Sequence, residues 1–303
     1  MSRISVLSYN VRYDNRSDHH DAWYARRDGV IDLVRFHRPD VVAFQEPLPG
    51  QRRDLREGLP AYAFVGRGRE PGGDGEGCPI GVRTDHWRIV DDGTFWLSET
   101  PEEPSSDWDA AHPRIATWAT VETREAADGG GGSGSAPLLI LNTHFDHVSA
   151  RARRESARLI VERIPKLATP EPGSGRSSGR RDVVLVGDLN TTAGSGPHRI
   201  LSGATPADDG AESVSGSGGG ASVSLRDAVA DAAVRHGPTT SVTDFVRLID
   251  DRRIDHVFVS PAIRSEAVAT LADRDDRGRY PSDHLPVLAR LRRHSAASMS
   301  SSS

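Results

Sequence analysis

The chain has 303 residues, of which 36% are hydrophobic and 27% charged, with a formal net charge of -5. That length suits one large α/β or all-β sandwich, and the acidic balance argues against a sequence-independent nucleic-acid binder, which needs cations to neutralise phosphates. No run nears the roughly 18 consecutive apolar residues of a membrane helix, and the lone Cys78 excludes an intrachain disulfide.

From the start, Ile4 to Tyr13 alternates as a strand does, with no apolar leader before it. With the single cysteine, this makes the cytoplasm the expected compartment. Asp21 to His37 reads as an amphipathic helix, because Trp23, Val30, Leu33, Val34 and His37 recur at helical spacing. Pro39-Asp40 ends it, and Val41 to Phe44 has the composition of a short buried strand. A second helix is expected over Arg52–Leu59. Short strands follow around Tyr62–Val65, Pro79–Arg83, Trp87–Val90, Ile115–Glu122 and Leu138–Thr143. Ser149–Leu167 reads as a long arginine-rich helix and Val183–Val186 as a buried strand. Strands near Ile254–Ser260 and Leu285–Leu291 close the pattern. Gly/Ser-rich inserts near 126–136, 169–181 and 202–222 fall between elements and read as flexible surface loops. Residues 1–293 therefore read as one domain, with 294–303 as a disordered tail. Strands with interspersed helices imply α/β layers, although periodicity alone does not say which strands pair.

Polar clusters stand at the ends of these strands, where open sheets commonly carry their sites. They are Asn10 in Tyr9-Asn10-Val11-Arg12-Tyr13, Glu46 after Phe44-Gln45, and His144 in Asn142-Thr143-His144-Phe145-Asp146-His147. Two more are Asp188 and Asn190 in Gly187-Asp188-Leu189-Asn190, and Asp283-His284 in Ser282-Asp283-His284-Leu285-Pro286. Asp255 sits within a strand rich in branched apolar residues. Singly, each has a plainer reading. An Asn at a strand end is often a turn former, and Gly-Asp-Leu-Asn could be an ordinary Asx-capped turn. His19, His20, His37 and His236 are isolated, and the five tryptophans are most simply packing residues. Together, oxygen ligands with few thiol or paired-His candidates favour a hard cation such as Mg²⁺ or Mn²⁺ over zinc. A hard ion, a carboxylate base and histidines able to donate to phosphoryl oxygens make a phosphate-ester site. Neither a nucleophilic-serine elbow nor a phosphate-cradling Gly-rich loop with Lys is present.

In this order the clusters resemble the endonuclease/exonuclease/phosphatase superfamily, over about Ile4 to Leu291. The sequence is most similar to a prokaryotic branch that shares Tyr9–Asn15, Gly93–Ser98 and Pro113–Trp118. The resemblance implies a four-layer α/β sandwich, two mixed β-sheets packed face to face with helices outside. It implies Asn10, Glu46 and Asp283 as metal ligands for Mg²⁺ or Mn²⁺. Asp188 would orient or deprotonate the attacking water with Asn190 as its partner. His284 would stabilise the pentacovalent phosphate, with Asp255 fixing its tautomer. His144 would be the second phosphate-contacting histidine and Glu76 the acid orienting it. Arg114 would contact substrate phosphate, with Asp146 as a further orienting residue. The function implied is hydrolysis of a phosphodiester or phosphomonoester by in-line attack of water, by a monomer. The alternatives are a DNA or RNA nuclease on the same site, and a phosphate-ligand-binding protein without turnover. The Asp14–Asp21 segment and the Gly66–Gly77 loop are expected to rim the cleft.

Overall fold

The computed structural model describes residues 2–124, 136–170, 180–204 and 224–293. In chain order the strands are β1 (Arg3–Asn10), β2 (Val41–Gln45), β3 (Tyr62–Val65), β4 (Ile80–Arg83), β5 (Trp87–Trp96), β6 (Ile115–Thr123), β7 (Leu138–His144), β8 (Asp182–Asp188), β9 (Arg226–Asp227), β10 (Val234–His236), β11 (Val242–Thr243), β12 (Leu248–Ile249), β13 (Asp255–Val259), β14 (Ile263–Thr270) and β15 (Val287–Arg293). One sheet has the order β10-β14-β15-β1-β2-β4-β3, and the other β5-β6-β7-β8-β13-β9. Both are mixed. β1 runs parallel to β2 and antiparallel to β15, while β8 runs parallel to β7 and antiparallel to β13.

Strand alternation builds the layers, since successive side chains point to opposite faces. Ile4 and Val6 of β1, Leu138 and Ile140 of β7, Val184 and Val186 of β8, and Val257 and Val259 of β13 meet in one cluster between the sheets. The intervening residues point outward to helices. Leu7 and Tyr9 pack with Val30, Leu33 and Val34 of α1 (Trp23–His37) and Leu55 of α2 (Pro49–Gly58). On the other side, Leu139, Leu141, Val183 and Leu185 meet Ala157, Ile160 and Ile164 of α3 (Ala150–Ala168), whose first turn is capped by Ser149. Helix, sheet, sheet and helix form the four expected layers. Each fully buried Leu, Ile or Val contributes about 1.5–3 kcal/mol.

Some boundaries differ from the sequence expectation. The first helix begins at Trp23, because Arg16–Asp21 is a separate 3-10 turn started by the Asn15 side chain on the Ser17 amide. The strand expected over Trp87–Val90 continues to Trp96, past a register irregularity between Ile89 and Asp91 that hides the alternation. β14 was not expected, because its Ser265-Glu266-Ala267 stretch lacks bulky strand formers. Most of the three Gly/Ser inserts, and the 294–303 tail, lie outside the described residues.

The central row of the second sheet comes from register. His144 is opposite Asp188 on the β7–β8 pair, and Asp188 is opposite Asp255 on the β8–β13 pair. Beside Asp188, Gly187 has φ 150°, and a Cβ there would lie 2.0 Å from the Thr143 carbonyl oxygen. We expect Gly187→Ala to lower the unfolding free energy by about 2 kcal/mol or more, as backbone strain and overpacking combine. Denaturant titration measures it, and a change within error would show that the strand pair has slack.

Candidate active site

The inter-sheet face changes character along its length. In β1 it runs Ile4, Val6, Ser8, Asn10; in β7, Leu138, Ile140, Asn142, His144; in β8, Val184, Val186, Asp188. At one end it is hydrocarbon, and at the other it is amide, imidazole and carboxylate. Between them lies a buried polar layer that joins the sheets. Gln45 Nε2 donates to Asn142 Oδ1 at 2.7 Å and to Ser8 Oγ at 3.2 Å, while Asn142 Nδ2 donates to the Phe44 and Pro79 carbonyls.

Above that layer Asp188 occupies the centre. Its Oδ2 accepts Asn10 Nδ2 at 3.0 Å, and its Oδ1 accepts the Asn190 backbone N–H at 2.9 Å. His144 Nε2 lies 3.4 Å and His284 Nε2 3.7 Å from Asp188 Oδ2. Asn10 Nδ2 also donates to Glu46 Oε1 at 2.9 Å, and Glu46 Oε2 accepts the Tyr13 N–H. On the far side of His284, Nδ1 meets Asp255 Oδ2 at 2.8 Å. The Asn190 amide reaches His144 Nε2 and the Phe145 carbonyl, both at 3.0 Å. Asn10, Glu46, His144, Asp188, Asn190, Asp255 and His284 are thus drawn from both sheets into one hollow. Asp283 joins the rim, 3.7 Å from Arg12.

The two histidines are driven to opposite protonation states. His144 is buried, which disfavours its charge, and Arg114 and His284 push the same way, so its pKa falls well below the ordinary value. Burial also opposes charge on His284, but Asp255 and Asp188 outweigh it and raise its pKa well above ordinary. Burial lifts Asp188 to about 7, with His284 opposing and Asp255 adding to the rise.

Arg114 is placed differently from the simple expectation. One of its terminal nitrogens meets His144 Nδ1 at 3.1 Å, and the other meets His147 Nδ1 at 2.9 Å. The expected partner of His144, Glu76, instead pairs with Arg69 at 2.9 Å and stands 4.0 Å from Arg114. Glu76 therefore reaches His144 only through the guanidinium, because a carboxylate and an arginine cannot share the one Nδ1 atom. Arg114 and the Asn190 amide both offer hydrogens to His144, at Nδ1 and Nε2, and a neutral imidazole accepts at one nitrogen only, so the two donors compete for its lone pair. Asp146 is wholly buried; it accepts the Ala111, Val148 and Ser149 amides and faces Arg114 Nε at 3.6 Å. Arg69, itself buried, was not singled out from sequence, although it lies in the Gly66–Gly77 loop expected at the rim. Its only sequence signal is that loop's arginines beside Glu76. The supporting Gln45–Asn142 pair was also missed, because buried amides carry no charge pattern.

The Endonuclease/Exonuclease/phosphatase family model matches residues 7–284. The chain belongs to the endonuclease/exonuclease/phosphatase family. Its members are phosphoester hydrolases that typically use divalent metals. A Bacteroides vulgatus endonuclease/exonuclease/phosphatase is 32% identical, with 97% of this chain and 100% of that one covered at a TM-score of 0.81. A Bacteroides thetaiotaomicron mannosyl-6-phosphatase is 31% identical, with 95% and 99% covered and a TM-score of 0.78. An uncharacterized protein of Acanthamoeba polyphaga mimivirus is 26% identical over 199 residues, 62% of this chain and 67% of its own length.

The family's metal can be tested against the donors present. Burial raises Asp188, Glu76 and Asp283 above ordinary carboxylate values, and neighbouring carboxylates add to it: Asp255 on Asp188, Glu46 on the other two. Asp255 Oδ1 is buried without a partner. Glu46, His144 and Asp188 can bring ligand atoms within 4.8 Å of one another. This excess of oxygen donors fits a divalent hard cation. No helix among the described residues is long and apolar enough to cross a membrane.

The His284–Asp255 pair gives a pH prediction. His284 has a raised folded pKa, so the stability it confers is full below the unfolded value of about 6.5 and is lost as pH climbs through the folded value. In Asp255→Asn, NMR titration should show His284 losing its proton at lower pH than in the parent, and the stability deficit should be greatest on the acid side. An unmoved titration would show that Asp255 does not hold the charge.

Proposed function

We propose that the protein is a divalent-metal-dependent phosphoesterase that hydrolyses a small phosphate ester, with sugar phosphomonoesters as the first candidates. The observation that carries this reading is the placement of Asp188 between His144 and His284, with Asn10 and Glu46 beside it. The choice of monoester rests on two points. Arg69 and Arg114 are buried along the wall next to His144, and their positive charge there suits a dianionic phosphoryl group. The mannosyl-6-phosphatase also aligns over nearly the whole chain.

Asn10, Glu46 and Asp283 would hold Mg²⁺ or Mn²⁺, which when bound would offset charge on the phosphoryl oxygens. Asp188, with a pKa lifted to about 7, is suited to orient a water and accept its proton near neutrality. His284, protonated and held by Asp255, would donate to the oxygens as negative charge develops. His144, backed by Arg114, would face the same oxygens, and the Asn190 amide beside it supplies a further donor. These donors are set before substrate arrives, so little reorganisation opposes the reaction.

Asp188→Ala and His284→Ala should each lower turnover by at least about 10²-fold, through loss of a base or a charge-stabilising donor. Near-normal rates in either would overturn these roles. The substrate class is decided by assaying hexose 6-phosphates, p-nitrophenyl phosphate, bis(p-nitrophenyl) phosphate, plasmid and single-stranded RNA with Mg²⁺ or Mn²⁺, with and without EDTA. We expect EDTA-sensitive release of phosphate from monoesters. Cleavage confined to nucleic acid would establish the nuclease reading, and phosphate binding without turnover on any substrate the non-catalytic one.

A further inference from the structure

Behind the sheet that carries Asp188 lies a second buried polar cluster that the site described above does not use. His198, Asp227 and His256 bring nitrogen and oxygen atoms within 4.8 Å of one another. It has the composition of a metal site, but a cation already fills it. Arg253 Nη2 donates to Asp227 Oδ2 at 2.7 Å, and Arg253 Nη1 lies 3.0 Å from His256 Nδ1. His198 Nε2 meets the same Asp227 oxygen at 3.0 Å. A metal would have to expel the guanidinium.

The guanidinium fixes the imidazole. An arginine can only donate, so Nδ1 of His256 accepts and its proton sits on Nε2. That Nε2 lies 2.8 Å from the carbonyl oxygen of Thr191. Thr191 directly follows Asn190, whose backbone is in the left-handed region at φ 48°. Asparagine enters that region more readily than most residues, and contacts on both sides hold it there. One anchor is the Asn190 N–H on Asp188 Oδ1 at 2.9 Å. His256, fully buried, grips the other side through Thr191. Strand alternation completes the arrangement. Asp255 faces the space between the sheets and holds His284, while its neighbour His256 faces the opposite side.

We propose that His256, locked in one tautomer by Arg253 and Asp227, is a positioning residue that sets the Asn190 amide against His144. The proposal rests on the reading of Asn190 as a donor in phosphoester hydrolysis. Adjacent residues of one strand would then aim the two sides of the site, Asp255 through His284 and His256 through Asn190.

The test uses the full chain with Mg²⁺ and p-nitrophenyl phosphate. His256→Phe keeps a ring in the cavity but has no N–H for Thr191, whereas His256→Gln keeps a donor. His256→Phe should lower kcat by about tenfold or more with KM nearly unchanged, since small misplacements of catalytic groups are costly, and His256→Gln should recover most of it. In an Asn190→Ala background the same Phe substitution should cost less than about twofold, because residues acting through one group are non-additive. Equal losses in both backgrounds would assign His256 a merely structural role and overturn the proposal. A normal Asn190→Ala enzyme would instead overturn the reading on which it rests. Two measurements are independent of turnover. Nitrogen NMR should show His256 protonated at Nε2, and a crystal structure of His256→Phe should show the Thr191 carbonyl and Asn190 amide displaced from His144. An Nδ1-protonated ring or an unmoved loop overturns the proposal, and should His256→Phe fail to fold, Arg253→Met provides the same readings with the imidazole retained.

Discussion

The structure depends on a single surface that is apolar at one end and ionisable at the other. The space between the sheets is hydrocarbon where Ile4, Val6, Ile140 and Val184 meet, and it fills with Asn10, His144, Asp188 and Asp255 where the same strands end. Such a junction is hazardous, because a buried polar group without a partner costs on the order of 1–3 kcal/mol. The Ser8–Gln45–Asn142 layer lies at the boundary and ties one sheet to the other. Those amides satisfy strand-end carbonyls and separate the charged groups from the hydrocarbon. The core's rigidity is thereby passed to the site through hydrogen bonds rather than through loops.

Electrostatics then divides the labour among groups of the same type. His144 and His284 approach the same Asp188 oxygen, yet one has an arginine behind it and the other a carboxylate. Burial, with the arginine adding to it, lowers the pKa of His144, while Asp255 and Asp188 raise that of His284 against the effect of burial. Pairs of titratable groups driven apart in this way are how one site holds an acid and a base at the same pH. Asp188 lies between them, with burial raising its pKa and His284 limiting the rise. Removing one member alters the protonation of the others, so the cluster behaves as a unit.

Much of this was legible in the sequence wherever the chemistry is carried by short motifs. Gly187-Asp188-Leu189-Asn190 and Ser282-Asp283-His284 announce themselves because a strand's alternation breaks into polar residues at its end. Strand periodicity with interspersed helices pointed only to α/β layers, and the four-layer sandwich was what the family resemblance implied. What could not be read was pairing. No pattern in the chain says that His144, Asp188 and Asp255 fall in one row, since this depends on the register of a parallel pair beside an antiparallel one. For the same reason Glu76 was given a partner that Arg114 occupies, as a contact between distant loops leaves no local trace. Arg69 and the Gln45–Asn142 pair were silent, because an arginine in a glycine-rich loop and an amide in a strand look ordinary until the neighbouring layer is in place.

Backbone strain marks where that layering is put to use. Glu46 has φ 73°, Asn190 φ 48° and Gly187 φ 150°, and all three lie close to Asp188 or to the Asn10 amide that it accepts from. The left-handed conformation at Glu46 costs about 1–3 kcal/mol and persists only under constraint, while Asn190 takes it more readily. The constraints are visible: the Tyr13 amide and Asn10 on Glu46, the Asp188 carboxylate and the Thr191 carbonyl anchor around Asn190. A site assembled from relaxed loops would hold the same residues in many arrangements. Here those residues are fixed from both sides by groups of neighbouring elements, so the hollow keeps one arrangement of donors and acceptors before anything binds.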